Sequence, residues 1–230
     1  MAQPHHEEGR RPRVDDIFDF LHQEILALNL RPGDKISEAD IAARFNVSRQ
    51  PVRDAFSRLA NLDLILIRPQ RATEVRRFSM REIAKSRFVR LSVETEVLRR
   101  AAQHCDKTGA SRLTRAISRQ EKAVADRDVE KFGELDYDFH RMLCDIAHAD
   151  FAFDVIMAEK SKVNRLCMLG LSKEDRMPEL VDDHRGIAEA VIDHDADLAI
   201  RIGRRHLSRL DDTIRSITAS NANYFEPPEA

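Results

Sequence analysis

Ser48-Arg49-Gln50-Pro51-Val52-Arg53 stands between two short amphipathic runs and decides how the first third of this 230-residue chain is read. The run before it, Ser37-Glu38-Ala39-Asp40 followed by Ile41, Ala42 and Phe45, opens with a capping-box pattern in which Ser37 and Asp40 satisfy orphan amides reciprocally, so it reads as a short first helix. Asn46-Val47 supplies a tight turn. Ser48 then caps a second helix with Pro51 in its first turn, where a missing N–H costs nothing. Val52, Ala55, Phe56, Leu59 and Ala60 form its inner stripe. Arg49 and Arg53, one turn apart, fall on the opposite face near the helix N-terminus. Two guanidinium groups so placed match the geometry of a recognition helix entering a DNA groove.

Past that helix, Leu64 to Val75 contains two short β-prone runs joined by the basic turn Arg68-Pro69-Gln70-Arg71, a pattern that reads as a wing. The alternative reading of Arg49 and Arg53 is ordinary solvated charge on a surface helix. Their neighbourhood argues against it: residues 44–77 hold eight Arg against Asp54, Asp63 and Glu74, a local excess of five positive charges in a chain whose formal net charge is −2.

Forty-two per cent hydrophobic and 34% charged residues are ordinary for a helix-rich globular protein, and the length allows two modest domains. Met1 to Pro12 carries His5-His6, Glu7-Glu8 and Arg10-Arg11 with no apolar stretch behind it, which reads as neither a signal peptide nor a twin-arginine signal. The longest apolar runs, Leu64 to Ile67 among them, are too short to span a membrane. Cys105, Cys144 and Cys167 are odd in number and lack finger or redox-pair spacing, which fits a reducing, cytoplasmic setting. The tail from Ser220, with Pro227-Pro228, is expected to fray.

The stretch from Leu30 to Val75 resembles the DNA-binding half of the GntR family of bacterial repressors. The residues that carry the resemblance are Arg31-Pro32-Gly33, Ser37-Glu38 with Ile41-Ala42, Val47 to Ala55, and Arg68 to Arg71. It implies a winged helix-turn-helix over residues 13–77, with Ser48, Arg49, Gln50, Arg53 and Arg71 meeting DNA. Two positions depart from the family: Asp63 stands where it has Gly after the recognition helix, and Ala72 where it has the wing-tip Gly. A Cβ at a turn that needs positive φ is disfavoured, so an altered wing is expected.

After Arg76-Arg77 the β-prone runs nearly vanish and helical periodicity continues to about Ser216, which puts a domain boundary near Phe78. Helices are expected from Ser79 to about His104, Gly109 to Ala125, Asp128 to His148, Phe151 to Leu169, Glu179 to His194 and Ala196 to Ile217. Six such helices on short links imply an antiparallel bundle. On the third, Asp136 and His140 intrude beside the stripe Phe132, Leu135, Phe139 and Leu143 at i and i+4, so they face the same way. His184 sits in the stripe Leu180, Ile187, Ala188 and Val191, and His206 among Ala199, Ile202, Leu210 and Ile217. A carboxylate and three imidazoles in a bundle core are costly unless each finds a partner; one divalent cation satisfies all four. The alternative is a set of unrelated core histidines with local hydrogen bonds.

This second half is similar to the all-helical FCD domain of the FadR-type branch of the same family, on Asp136 to His140, Asp183 to Ala190, Asp195 to Ala199 and Arg205-His206-Leu207. The resemblance implies that Asp136, His140, His184 and His206 hold a metal ion. Three nitrogens and one carboxylate suit zinc first, with nickel, manganese or cobalt as alternatives, and on an octahedral ion they leave two positions open. Arg90, which matches the family's arginine on the domain's first helix, is then expected to bind an effector carboxylate; an intrahelical pair with Glu94 is its other reading. Asn164 and Arg165 are further candidates for that cavity, and Cys144 reads as a core residue rather than a fifth ligand.

The expectation for the whole chain is a mainly α protein with an N-terminal winged helix-turn-helix at 13–77 and a C-terminal helical metal- and effector-binding domain at 78–219. It is expected to be a homodimer on a short palindromic operator in double-stranded DNA, answering to a small organic or sugar acid, with no catalysis and no membrane. The rival readings are a metal-dependent hydrolase, against which no general-base motif accompanies the ligands, and a sensor that acts through protein partners after losing DNA contact.

Overall fold

The structure is a computed structural model describing residues 13–68, 70–167 and 173–227, apart from the side chains of residues 164, 165, 167, 173–175, 212 and 213. Met1 to Pro12, Pro69 and the side chains of Asn164 and Arg165 therefore lie outside what is described. The chain divides into two compact units, one formed by the described residues up to Met80 together with those from Ile217 on, the other by Arg81–Ser216.

In the first unit the order is α1 (Val14–Leu26), β1 (Lys35–Ile36), α2 (Glu38–Phe45), α3 (Arg49–Asn61), β2 (Ile65–Leu66) and β3 (Thr73–Val75). The Ser37 hydroxyl accepts the Asp40 N–H at 3.4 Å and starts α2; Asn46, at φ 51°, ends it in the left-handed conformation that Asn tolerates. Ser48 is the N-cap of α3 by backbone conformation (φ −70°, ψ 167°), but its side chain makes no capping bond. The sequence reading did not place α1 or β1. Ile17, Leu21 and Ile25 of α1 recur at helical spacing and are fully buried against Phe45, Val52, Phe56 and Leu59. The two-residue β1 is too short to show a period.

The wing is antiparallel, with Ile65 opposite Val75 and Leu66 opposite Glu74, and β1 adds to its other side in the order β1-β3-β2. Gly33 at φ 92° makes the entry turn, donating its N–H to the Val75 carbonyl at 2.8 Å. Asp63 takes the left-handed conformation (φ 57°) despite its Cβ, and its carboxylate accepts Arg76 Nη1 at 2.6 Å. In the wing turn the left-handed residue is Gln70, at φ 57°; Ala72 is not among the residues with positive φ.

The tail expected to fray is ordered through residue 227. A short 3-10 turn at Ala222–Tyr224 brings Phe225 onto Phe78 with ring centroids 5.6 Å apart. Phe78 donates its N–H to the Tyr224 carbonyl at 2.9 Å and accepts from Glu226 at 2.8 Å. Burial of Phe225 outweighs the disorder that the polar composition and the two prolines suggest.

The second unit is built from α4 (Met80–His104), α5 (Lys107–Ala125), α6 (Val129–Ile146), α7 (Phe151–Cys167), α8 (Lys173–Ile192) and α9 (Ala196–Ser220). Asp106 and Asp128 cap α5 and α6, accepting the N–H of Gly109 at 2.7 Å and of Lys131 at 2.9 Å. Leu98, Ala101, Leu113, Phe139, Leu143 and Val191 lie in one core. The largest boundary error in the sequence reading is at α8, which begins at Lys173 rather than at Glu179. Pro178 lies inside it. One missing hydrogen bond in the second turn is tolerated because Met177 and Val181 bury against Phe132 and Leu135 on either side of the proline.

Candidate functional site

Ser48, Arg49, Gln50 and Arg53 are all exposed on the outer face of α3, opposite the buried Val52, Phe56 and Leu59, and Arg71 is exposed in the wing turn. Arg53 Nε donates to Glu38 Oε2 at 3.0 Å, and Gln50 Nε2 to Asp54 Oδ1 at 3.0 Å. Of the other five arginines in residues 44–77, Arg68 is exposed beside the wing turn and four are engaged by neighbouring side chains. Arg44 lies 4.2 Å over the Phe20 ring, Arg58 lies over Phe18 and pairs with Asp15, Arg76 pairs with Asp63 and Arg77 with Glu74. The positive charge turned outward is thus that of α3 and the wing turn.

In the helical unit the three histidines converge. Their ligand atoms all lie within 4.8 Å of one another, and all three side chains are buried. The ring centroids are 5.4 Å (His140 to His184), 5.6 Å (His140 to His206) and 4.8 Å (His184 to His206) apart. Neighbouring donors bonded at about 2.1 Å to a common ion stand roughly 3 to 3.4 Å from one another, so side-chain shifts of up to about an ångström bring the imidazoles to coordination distance. Asp136 is beside them: its Oδ1 lies 3.8 Å from His140 Nε2 and 3.7 Å from His184 Nε2, while its Oδ2 accepts from the Lys160 ammonium.

Two residues not singled out from sequence stand against the rings, Gln120 bonded to His184 and Asp183 facing His206 Nδ1, which meets no hydrogen-bond partner among the described residues. Gln120, buried in α5, donates Nε2 to the Leu135 carbonyl at 3.1 Å, which turns its Oε1 toward His184 Nδ1 at 2.8 Å. An acceptor there requires a proton on Nδ1, so the Nε2 lone pair faces the cluster, where it meets no hydrogen-bond partner among the described residues. The buried Asp183 stands 3.6 Å from His206 Nδ1 and is itself gripped by Arg205 and Arg209. Burial raises the Asp183 carboxyl pKa, and His206 and Arg209 more than reverse this, keeping it ionised. Gln120 was legible as a polar intruder in the apolar stripe Leu113, Ala116, Ile117 and Ala123, the criterion that found His140.

Burial sets the protonation of the cluster. Desolvation brings His184 down to about 3, reinforced by His206, and pushes His140 well below the usual histidine range. Burial acts the other way on Asp136, but Lys160 and the imidazoles keep its carboxyl far below the usual carboxylate value. At neutral pH His140 and His184 therefore offer neutral nitrogens and Asp136 a carboxylate, the forms that ligate a divalent ion.

A cavity of about 340 Å³ opens beside the cluster. Asp136, His140 and His206 line it, and so do three cationic side chains, Arg90, Lys160 and Arg176. Arg90 is buried and donates Nε to Glu94 Oε1 at 2.8 Å, so both of its sequence readings meet in one place: it is paired within α4, and it lines the cavity. Its terminal N–H groups are further donors. Cys144 is fully buried in the core, where desolvation pushes its thiol up to about 12.

Residues 13–75 match the bacterial regulatory proteins of the gntR family, and residues 86–209 match the FCD domain. The chain belongs to the GntR family, with an FCD domain as its helical half. Among curated relatives it is similar to the HTH-type transcriptional repressor RspR of Escherichia coli K12, 33% identical over 94% of each chain. It is also similar to an HTH-type transcriptional regulator from an unstable DNA locus of Streptomyces ambofaciens, 32% identical over 98% of this chain and 93% of the other. Its fold is that of a solved GntR regulator from Rhodococcus sp. RHA1, with a TM-score of 0.62 at 21% identity over 90% of this chain and 98% of that one. The protein is thus a DNA-binding transcription regulator, and no described helix is long and apolar enough to cross a membrane.

Proposed function

We propose that this GntR regulator is a metabolite-responsive repressor whose helical domain, residues 78–219, holds a divalent ion on Asp136, His140, His184 and His206 and binds a small organic or sugar acid in the adjoining cavity. The observation that carries this reading is the buried His184 Nε2, aimed into a cluster of imidazoles without a hydrogen-bond partner among the described residues, the cluster forming one wall of a cation-lined cavity. The ion, zinc before nickel, manganese or cobalt, supplies a Lewis-acidic centre to which a carboxylate can bind. The repressor sense follows the E. coli relative, named as a transcriptional repressor. Residues 13–77 form the reader of a short palindromic operator, contacted through Ser48, Arg49, Gln50, Arg53 and Arg71. The palindrome asks for a homodimer. The α4 side chains Phe88, 72% exposed, and Leu91, one turn on, offer apolar surface for one. Sedimentation reporting a monomer at operator-binding concentrations would remove the dimer.

An effector weakens operator binding only by preferring a dimer geometry that spaces the recognition helices wrongly. Arg90→Met is therefore expected to leave effector-free operator binding within about twofold of the parent and to abolish the response to the acid, since a charge-assisted pair that contributes about 1.5 to 3 kcal/mol is lost. Calorimetry with dicarboxylates, hydroxy acids and sugar acids, followed by operator titrations with and without chelator, makes the measurement. An uncharged effector, or an acid bound equally by metal-free protein and by the Arg90 variant, would overturn this mechanism.

A further inference from the structure

We infer that Lys160 is a resident counter-cation of the histidine cluster, one that competes with a divalent ion for Asp136 and so holds the site's affinity for the ion down. This rests on the ion-binding reading above. Lys160, on α7, donates to Asp136 Oδ2 from a position 24 residues away in the chain, with side chains only 20% and 16% exposed. The other oxygen of the same carboxylate faces His140 Nε2 and His184 Nε2 at 3.8 and 3.7 Å. One carboxylate is therefore shared between an ammonium on its cavity side and the imidazoles on the other. The other buried carboxylates near the cluster are already engaged, Glu94 by Arg90 and Asp183 by Arg205 and Arg209. Glu94 Oε2 also stands 3.7 Å from His140 Nδ1, but Asp136 faces two of the imidazoles at once, and Lys160 is the cation that balances it.

An ion seated between Asp136 Oδ1 and the imidazoles places two positive charges a few ångströms from that ammonium. They share one negative charge, in a pocket where solvent screens little. Repulsion between the ion and Lys160 then opposes coordination. Holding Asp136 in a favourable rotamer works the other way, but that gain is the smaller, because Asp136 is already fixed by its place on α6 one turn before His140. The same ammonium lines the cavity, so an anion bound there relieves the repulsion, and ion and anion bind more tightly together than apart.

The test is zinc affinity, measured on the purified full-length protein by competition with a chromophoric chelator, with melting temperature as a second readout. Lys160→Met, which keeps the length of the side chain and removes its charge, is expected to bind zinc about tenfold or more tightly than the parent, and Lys160→Arg, which keeps the charge, to stay within about threefold. In chelator, Lys160→Met is expected to melt below the parent, because Asp136 is left buried without a cation, and zinc is expected to raise its melting temperature by more. Lys160→Gln provides the same comparison if the methionine variant fails to fold. Zinc affinity unchanged or weakened in the uncharged variants of a parent that binds zinc overturns the inference and makes Lys160 an orienting residue, leaving the metal site intact. A parent that takes up no ion, and behaves as its His206→Ala variant does, removes the site and the inference together.

Discussion

His184→Ala and His206→Ala are each expected to bring the helical domain from close to one divalent ion per chain to almost none, and to abolish the rise in melting temperature that zinc gives the parent. An ion bound by the folded state alone stabilises it by linkage, about 2.7 kcal/mol at a free concentration one hundred times Kd, which for a chain of this size is roughly 5 to 10 °C. The two variants separate packing from coordination. His184 is fully buried, stacked on Phe139 with centroids 4.5 Å apart and bonded to Gln120, so its removal leaves a void and an unsatisfied amide and lowers the melting temperature even in chelator. His206 lines the cavity, and its loss costs less packing. Both variants share the loss of the zinc-dependent increment, and that increment is the diagnostic quantity. Elemental analysis of protein purified without added metal, with paired melting curves in chelator, zinc, nickel and manganese, reads it out. A metal-free parent whose melting ignores all four conditions would sink the site.

What could be read from sequence, and what could not, follows the range of the interactions concerned. Arg49 and Arg53 announce themselves by i, i+4 spacing on a helix whose other stripe is apolar, and Asp136 and His140 by the same rule. Each depends on a few residues of local geometry. His184 and His206 were legible as polar residues inside apolar stripes, but their meeting with His140 is tertiary, and in advance it rested on the cost of burying them unpaired and on the family resemblance. Lys160 gave no local sign at all: it is an ordinary lysine on a charged helix until α7 packs beside α6. Asp183 gave no local sign of its role, because the two arginines that hold it, Arg205 and Arg209, come from α9, more than twenty residues on. Arg90 shows the limit from the other side. Spacing offered both an intrahelical partner and a ligand role, and the structure pairs it with Glu94 while leaving it on the cavity wall. At Pro178 and at Phe225, burial overrode local propensity, which a reading based on proline and polar composition cannot weigh.

Arg49→Ala and Arg53→Ala are each expected to weaken binding to the specific operator by about 1 to 3 kcal/mol, roughly five- to 150-fold, with little change in melting temperature. The small cost in stability follows from exposure. Arg49 projects from the first turn of α3, and the bond of Arg53 to Glu38 joins an arginine side chain that is 56% exposed to a carboxylate that is 32% exposed, a kind of pair that contributes about 0 to 1 kcal/mol. That bond also shapes the expected loss. Arg53 must exchange Glu38 for DNA, so part of its groove contact is offset in the parent, and Arg49→Ala is expected to be the more damaging of the two. The form of the loss separates base reading from phosphate contact. A side chain that reads a base edge costs affinity for the operator and leaves binding to random duplex nearly unchanged. A phosphate contact costs both about equally and lowers the salt slope by about one. Operator sequence recovered by selection from a random duplex pool, followed by mobility shifts of parent and variants at several fixed salt concentrations, distinguishes the two. Should both variants bind every duplex as the parent does, α3 is not the recognition helix.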